Sequence, residues 1–80
     1  MNVILRIERL FRDFLDQPGL TLKEEQVLRQ IPELDSVILV QVVLAMETEF
    51  GVKFSTQEVA DFRTVADLVG ALSRKGQTGA

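Results

Sequence analysis

The sequence predicts an all-α fold, a bundle of four helices with a long connection between the first two and a short third helix. Three observations support this prediction. Apolar residues recur every three or four positions in several segments. Residues typical of helix caps stand at the ends of these segments. Strand-like alternation is confined to residues 52–54, and the 80 residues are enough for only one small domain.

The first helix is predicted over residues 3–14. Its apolar positions recur at steps of three and four and are Val3, Ile7, Leu10 and Phe14. The other face is charged and carries Arg6, Glu8, Arg9, Arg12 and Asp13. This pattern indicates an amphipathic helix. We expect it to end before Pro18, which disfavours a helical conformation of the preceding residue, with Gly19 as a flexible terminator.

Residues 17–35 then form a connection that is long for so small a domain. A loop of this length is normally functional or held by its own packing. The apolar residues available for that packing are Leu20, Leu22, Val27, Leu28, Ile31 and Leu34. A single helical turn is expected around residues 22–28, and Pro32 marks the end of the segment.

The second helix is predicted to begin at Asp35 or Ser36 and to run to Phe50, with Gly51 as terminator. At about 100° per residue, one side gathers the expected core residues Leu39, Val42, Val43, Met46 and Phe50. The opposite side, here called the outer stripe, consists of Val37, Gln41, Leu44 and Thr48. Two of its members are apolar and none is charged.

Two capping boxes predict the last two helices. Ser55 and Glu58 open a short third helix that carries Val59 and Ala60. Thr64 and Asp67 open a fourth, whose apolar positions are Val65, Leu68, Val69 and Leu72. We therefore predict one domain over residues 1–74 and a flexible tail over residues 75–80.

Composition excludes several classes of function. The chain has no histidine and no cysteine, so the commonest general base and the commonest metal ligands are missing, and we expect neither an enzyme nor a metal site. A net charge of −3 argues against nucleic-acid binding. Residues 33–61 hold six acids against Lys53 alone, a net −5 that would attract basic partners. Arg6, Glu8 and Arg9 interrupt the apolar N-terminus, and Gln41 breaks the longest apolar stretch. We therefore expect no signal peptide and no membrane span, and the cytoplasm as compartment.

Taken together, the motifs resemble those of the acyl carrier proteins and related phosphopantetheine-binding carrier domains. The likeness covers nearly the whole chain: "LDS" opens the second helix, "LAMETEFGVKF" closes it, and "FRTVADLVGAL" follows the short helix. The matching residues, in order and spacing, are Leu34, Asp35, Ser36, Glu47, Glu49, Phe50, Gly51, Thr64, Val65, Asp67 and Leu68.

The resemblance implies that a phosphopantetheinyl transferase attaches 4′-phosphopantetheine from coenzyme A to Ser36. It also implies that the adjacent Asp35 takes part in recognition by that transferase, and that the arm carries acyl groups as thioesters. A helix N-terminus suits the new phosphodiester, because it offers free N–H groups and a positive dipole end. The working thiol would come from the prosthetic group, which fits a chain without cysteine.

The departures from the family pattern point to a narrow set of partners. Val37 replaces the usual leucine, and apolar or neutral residues replace most of the acids usual along the second helix. The remaining acids of the face are Glu33, Asp35, Glu47 and Glu49, followed by Glu58 and Asp61. The predicted partner-binding residues are Val37, Ile38, Gln41, Leu44, Glu47 and Thr48. The expected partners are acyl- or aminoacyl-activating ligases, synthases or transferases. We expect them to belong to a specialised lipid or polyketide-like pathway in preference to general fatty acid biosynthesis. The carrier itself is expected to be a monomer.

Two alternatives stay open from the sequence. The cargo of the carrier could be aminoacyl or peptidyl instead of acyl. An acyl cargo is favoured because an acyl chain could shelter among core residues, namely Leu39, Val43, Met46, Val59, Ala60 and Leu68. Any helical core would need the same residues. Alternatively, the chain is an unmodified helical interaction module in which Ser36 only caps a helix and the outer stripe binds a partner.

Overall fold

The computed structural model describes residues 3–76, and within them the chain folds into four α-helices and one short 3-10 turn. Helix α1 spans Val3–Leu15, α2 Ser36–Phe50, α3 Thr56–Asp61 and α4 Val65–Arg74, with the 3-10 turn at Leu28–Gln30. The only strand-like pairing among these residues is an isolated bridge between Val27 and Thr64. The predicted all-α fold with a long first connection and a short third helix is confirmed.

The core lies where α1, α2 and α4 meet, and the long connection closes it. Its fully or almost fully buried members are Val3, Ile7, Phe11, Leu15, Leu22, Leu28, Ile31, Val42, Val43, Met46, Phe50, Phe62, Val65, Leu68, Ala71 and Leu72. Leu39 and Val69, both predicted for the core, are partly buried against it. A core drawn from every helix except α3 leaves α3 at the surface.

The buried face of α1 differs from the predicted one. Phe14 is exposed, whereas Phe11 is fully buried and Glu8 is also buried. The prediction for Phe14 and Glu8 was wrong because the helix is rotated so that Ile7, Phe11 and Leu15 form the inner row. A three-or-four spacing fits both rows, and only packing against the rest of the domain selects one.

The end of α1 also departs from expectation. Asp16, not Gly19, adopts the left-handed conformation that ends the helix, with φ of 52°, and the N–H of Gln17 donates to the carbonyl of Arg12 at 3.1 Å. Aspartate tolerates this conformation better than most side chains do. At the other predicted terminator, Gly51 is left-handed as expected, with φ of 66°.

Both predicted capping boxes are present. The hydroxyl of Ser55 accepts from the N–H of Glu58, whose carboxylate accepts from the N–H of Ser55. Thr64 and Asp67 make the same reciprocal pair. Each box satisfies N–H groups that a helix start would otherwise leave unpaired.

The long connection is held by packing and by main-chain hydrogen bonds to the segment before α4. The N–H of Leu28 donates to the carbonyl of Arg63 at 2.8 Å, and the N–H of Val65 donates to that of Gln26 at 3.0 Å. The helical turn lies at Leu28–Gln30, later than predicted, because Leu28 and Ile31 insert into the core there. The connection therefore presents a defined surface beside α2.

The packed part of the chain reaches the end of α4. The ammonium group of Lys75 lies 3.1 Å from a carboxylate oxygen of Glu58, which ties the end of α4 to α3. Most of the predicted tail, residues 77–80, lies outside the described residues. None of the helices within residues 3–76 is long and apolar enough to cross a membrane.

Candidate functional site

Ser36 is the first residue of α2 and its side chain is exposed. Asp35 caps the helix: its carboxylate accepts from the N–H of Ile38 at 2.8 Å, and its carbonyl accepts from the N–H of Leu39 at 2.9 Å. Within residues 3–76, the hydroxyl of Ser36 makes no hydrogen bond. Of the two predicted caps, Asp35 is therefore the real one, and Ser36 is left with a hydroxyl that the fold does not use.

A groove of about 360 Å³ opens beside Ser36. Its wall combines the start of α2, the long connection and α3, and its lining residues are Leu28, Arg29, Leu34, Asp35, Ser36, Leu39, Val59, Ala60 and Phe62. Most of these side chains are apolar, and the polar ones are Arg29 of the 3-10 turn and Asp35 and Ser36 at the start of α2. The groove thus offers polar contacts near Ser36 and apolar contacts towards α3.

A second groove, of about 260 Å³, lies further along α2 and shares Val59 with the first. Its lining residues are Val40, Val43, Leu44, Glu47, Phe54, Thr56 and Val59. Of the residues predicted to shelter an acyl chain, Leu39, Val43, Val59 and Ala60 line one or both grooves. Met46 and Leu68 are fully buried in the core and line neither groove, so their part in a shelter stays a prediction.

The outer stripe of α2 faces solvent, as predicted. Val37 is 66% exposed and Leu44 56%, and Gln41 and Thr48 are also exposed. Val40, which the sequence analysis did not single out, is 48% exposed and widens the apolar surface. Large exposed apolar side chains along one helix indicate a surface that other molecules contact.

The predicted contact residues at the two ends of the helix have partners inside the protein. Ile38 is partly buried against the core. The carboxylate of Glu47 accepts from the N–H of Phe54 at 2.7 Å and so holds the segment between α2 and α3. Glu47 thus has a structural role whether or not it also touches a partner.

Most of the acids in residues 33–61 are engaged within the domain. Glu49 forms an ion pair with Arg6 at 2.8 Å, and the guanidinium of Arg6 also lies over the ring of Phe50 at 4.3 Å. Asp61 accepts from the side-chain amide of Gln57 at 3.2 Å. Together with the contacts of Asp35, Glu47 and Glu58, these leave Glu33 as the one acid of this segment with no such contact within residues 3–76.

Glu33 stands immediately before the "LDS" motif and has a left-handed backbone, with φ of 68°. Such a conformation is strained for a side chain of this kind. It is enforced by the surrounding turn, in which the N–H of Leu34 donates to the carbonyl of Ile31 and the side chain of Gln17 donates to the carbonyl of Pro32. The turn directs the chain into α2 at Asp35.

Two carboxyl groups away from Ser36 have lowered pKa values. The N–H groups of Arg63 and Thr64 donate to Asp67 and lower its pKa. The N–H of Ser55, and then the ammonium of Lys75, lower the pKa of Glu58. Both effects belong to helix starts and to the contact between α3 and α4, so they concern stability.

Comparison with known proteins agrees with the motifs and the fold. The family described as the phosphopantetheine attachment site matches residues 5–72. "Acyl carrier protein 3" of Ralstonia nicotianae is 35% identical over 79 residues, which cover 94% of this chain and 91% of that protein.

Two solved structures have the same fold. A candidate acyl carrier protein from Mycobacterium tuberculosis gives a TM-score of 0.81 at 22% identity and covers 89% of this chain and 95% of its own. The solution structure of a holo acyl carrier protein from Geobacter metallireducens gives 0.83 at 23% identity, with 94% and 86% covered. Because both identities are below 25%, these two structures support the fold alone.

Proposed function

This chain belongs to the acyl carrier family of phosphopantetheine-binding proteins, and from that membership we propose that Ser36 is the residue to which its prosthetic group is attached. Members of the family are carriers and not enzymes, and their cofactor is covalent 4′-phosphopantetheine. The observation that carries the proposal is the exposed hydroxyl of Ser36, which no other group within residues 3–76 binds.

The surroundings of Ser36 fit a phosphodiester. Asp35 satisfies the N–H of Ile38, so the N–H groups of Ser36 and Val37, which a helix cannot pair internally, are available to phosphate oxygens. The positive end of the dipole of α2 lies at the same place. Since no side chain has to move to release the hydroxyl, a partner transferase could reach it directly.

Attachment would replace a phosphoanhydride bond with a phosphodiester. The oxygen of Ser36 bonds to the phosphorus that bears the pantetheine in coenzyme A, the diphosphate bond of coenzyme A breaks, adenosine 3′,5′-bisphosphate leaves, and the transferase takes the hydroxyl proton. Once bound, the arm supplies a thiol on which acyl groups are carried as thioesters. Asp35 would contribute to recognition while it keeps α2 capped next to the reacting oxygen.

We propose acyl groups as the cargo, in a specialised lipid or polyketide-like pathway. The grooves between α2 and α3 support this cargo, since the first lies beside Ser36 and the second shares Val59 with it. The outer stripe supports the specialised pathway, because an apolar docking surface selects partners by shape more than by charge. We expect Val37, Ile38, Gln41, Leu44, Glu47 and Thr48 to contact acyl-activating ligases, synthases or transferases.

Intact-mass spectrometry tests the attachment site. The protein is incubated with coenzyme A and a phosphopantetheinyl transferase of broad specificity, and a gain of one phosphopantetheine is expected for the wild type and for Ser55→Ala. Ser36→Ala should gain nothing. If the wild type gains no mass while a known carrier does, or if Ser36→Ala still gains it, the assignment is wrong, and the first result favours an unmodified interaction module.

Loading by activating ligases tests whether the cargo is acyl or aminoacyl. Purified holo protein offered matched acyl- and aminoacyl-activating ligases should be loaded by the acyl-activating ligase. Preferential aminoacylation would overturn the acyl proposal.

We also expect a monomer that acts in the cytoplasm, where coenzyme A is available. Light scattering of the apo and holo forms checks the first expectation, and cell fractionation the second.

A further inference from the structure

The groove beside Ser36 contains one basic side chain. Arg29 belongs to the 3-10 turn and lines the groove together with Asp35 and Ser36. Of the nine lysine and arginine residues, no other lines this groove. Within residues 3–76, its guanidinium forms no ion pair and no hydrogen bond, whereas Arg6, Arg12 and Lys75 are all paired.

A phosphodiester on Ser36 would also meet negative charges nearby. It would add a negative charge beside Asp35 and close in sequence to Glu33, in a segment whose net charge is already −5. Like charges at a few ångströms repel one another at a protein surface. The N–H groups at the start of α2 offset part of this repulsion on one side, and a cation on the facing side of the groove would offset more.

The backbone of Arg29 is held in place. Leu28 before it is 1% exposed and Ile31 after it 3% exposed, and the N–H of Ile31 donates to the carbonyl of Leu28 at 3.1 Å. The side chain therefore starts from a fixed position on the wall of the groove. A guanidinium suits a phosphate particularly well, because its planar fork can donate two parallel hydrogen bonds.

We infer that the guanidinium of Arg29 binds the phosphodiester of the prosthetic group on Ser36 and holds the first part of the arm against the groove. This inference rests on the proposed attachment at Ser36. A carboxylate on the cargo could bind a guanidinium in the same way, but the arm separates the cargo from Ser36. The phosphodiester, in contrast, must lie beside Ser36, in the groove that Arg29 also lines.

The test compares four cargo-free holo proteins: the wild type, Arg29→Gln, Arg29→Lys and Lys23→Gln. Lys23 is the matched control, because it lies in the same connection, is exposed and does not line the groove. Each protein is converted with coenzyme A and a transferase and checked by intact mass. The phosphorus-31 resonance of the phosphodiester is then recorded at low and at high salt.

In the wild type and in Lys23→Gln we expect the resonance to shift as salt screens the ion pair. In Arg29→Gln the resonance should lie near the wild type's high-salt position at both salt concentrations. In Arg29→Lys its shift with salt should be intermediate between those of the wild type and Arg29→Gln. Urea unfolding gives a second measurement: the conversion from apo to holo should lower the ratio of folded to unfolded protein about two- to fivefold more in Arg29→Gln than in the wild type, as for a surface ion pair.

The outcomes separate the two proposals. If both wild type and Arg29→Gln gain the group but show the same phosphorus resonance and the same change on conversion, the role of Arg29 is refuted and Ser36 stands. If the wild type gains nothing while a known carrier does, both proposals fall. Because no cargo is present, a cargo carboxylate cannot produce the expected signals.

Discussion

Asp35 and Ser36 are neighbours in the chain, but they do different things at the start of α2. The carboxylate of Asp35 closes the helix by accepting from the N–H of Ile38, whereas the hydroxyl of Ser36 projects into solvent. Since the cap does not depend on Ser36, the fold can present that hydroxyl to another molecule at no cost to the helix.

Two substitutions should separate these roles. Asp35→Ala removes the cap and should lower the free energy of unfolding by about 0.5–2 kcal/mol, whereas Ser36→Ala should change it by less than about 0.5 kcal/mol. Urea unfolding of both apo proteins measures the difference. Equal destabilisation by the two substitutions would mean that Ser36 shares the cap.

Glu8 is the buried acid that the sequence analysis placed on the wrong face. One carboxylate oxygen accepts from the N–H of Leu22 at 2.7 Å, and the other pairs with Arg12 at 2.8 Å. Arg12 in turn donates to the carbonyl of Leu20 at 2.7 Å. The pair thus fastens the long connection to α1.

Glu8→Ala should therefore destabilise the domain by about 1.5–3 kcal/mol, because it removes hydrogen bonds to a charged group and leaves the N–H of Leu22 without a partner. Asp13→Ala is the matched control, since Asp13 is an exposed acid on the same helix, and should cost less than about 0.5 kcal/mol. Urea unfolding with amide exchange at Leu22 is the measurement. Similar losses in the two variants would contradict this role of Glu8.

Among the elements, α3 is the most weakly anchored helix. It contributes no fully buried residue, although it forms one wall of both grooves. Lys75 holds it from outside, through the ion pair with Glu58 and a position 5.4 Å from the centre of the Phe54 ring. Elements with little buried surface open most readily, so the width of the grooves depends on contacts of this kind.

Lys75→Gln should speed amide hydrogen exchange in α3 and leave exchange in α1 unchanged. Arg74→Gln should affect neither, because it removes a neighbouring charge that forms no ion pair within residues 3–76. Acid should lower the protection factors of the α3 amides as Lys75→Gln does, after correction for the slower intrinsic exchange at low pH. The pKa of Glu58 is lowered below 4.5 in the folded protein, so its contribution is complete above about that pH and disappears as the pH falls through the folded value. If neither Lys75→Gln nor acid changes the protection of the α3 amides, the contact between Lys75 and Glu58 does not hold α3 in place.

At the scale of the whole molecule, the acids on and around α2 are mostly held by contacts within the domain. The carboxylates of Glu49 and Glu58 are paired with cations, and those of Asp35 and Glu47 are held by backbone N–H groups. The exposed surface of α2 is instead apolar at Val37, Val40 and Leu44. Encounter with partner enzymes should accordingly depend less on long-range charge than on contact.

The kcat/KM of a phosphopantetheinyl transferase for this protein tests that expectation. It should fall no more than about tenfold as the Debye length shrinks from about 30 Å to about 3 Å, the low end of the range for steered association. Leu44→Ser should lower it about fivefold or more, and Glu33→Gln much less. A steep salt dependence, or a larger effect of Glu33→Gln, would show that charge governs docking.

Local signals in the sequence were sufficient for much of this structure. The two capping boxes, the left-handed Gly51 and the extent of α2 depend on residues within a few positions of one another, which is why they could be predicted. The outer stripe followed from the helical period alone. The "LDS" motif located the candidate site, since it marks the start of the helix on which Ser36 is presented.

What the tertiary structure decided are the relations between distant segments. Packing selected Phe11 over Phe14, drew Glu8 into the interior and brought Arg29 to the same groove as Ser36. Helical spacing repeats along a segment and leaves its rotation open, and a loop residue has no period at all. By itself the sequence therefore determined the helices, their caps and the serine, whereas the partners of each charge and the walls of the groove were decided only when the connection and α3 closed over the core.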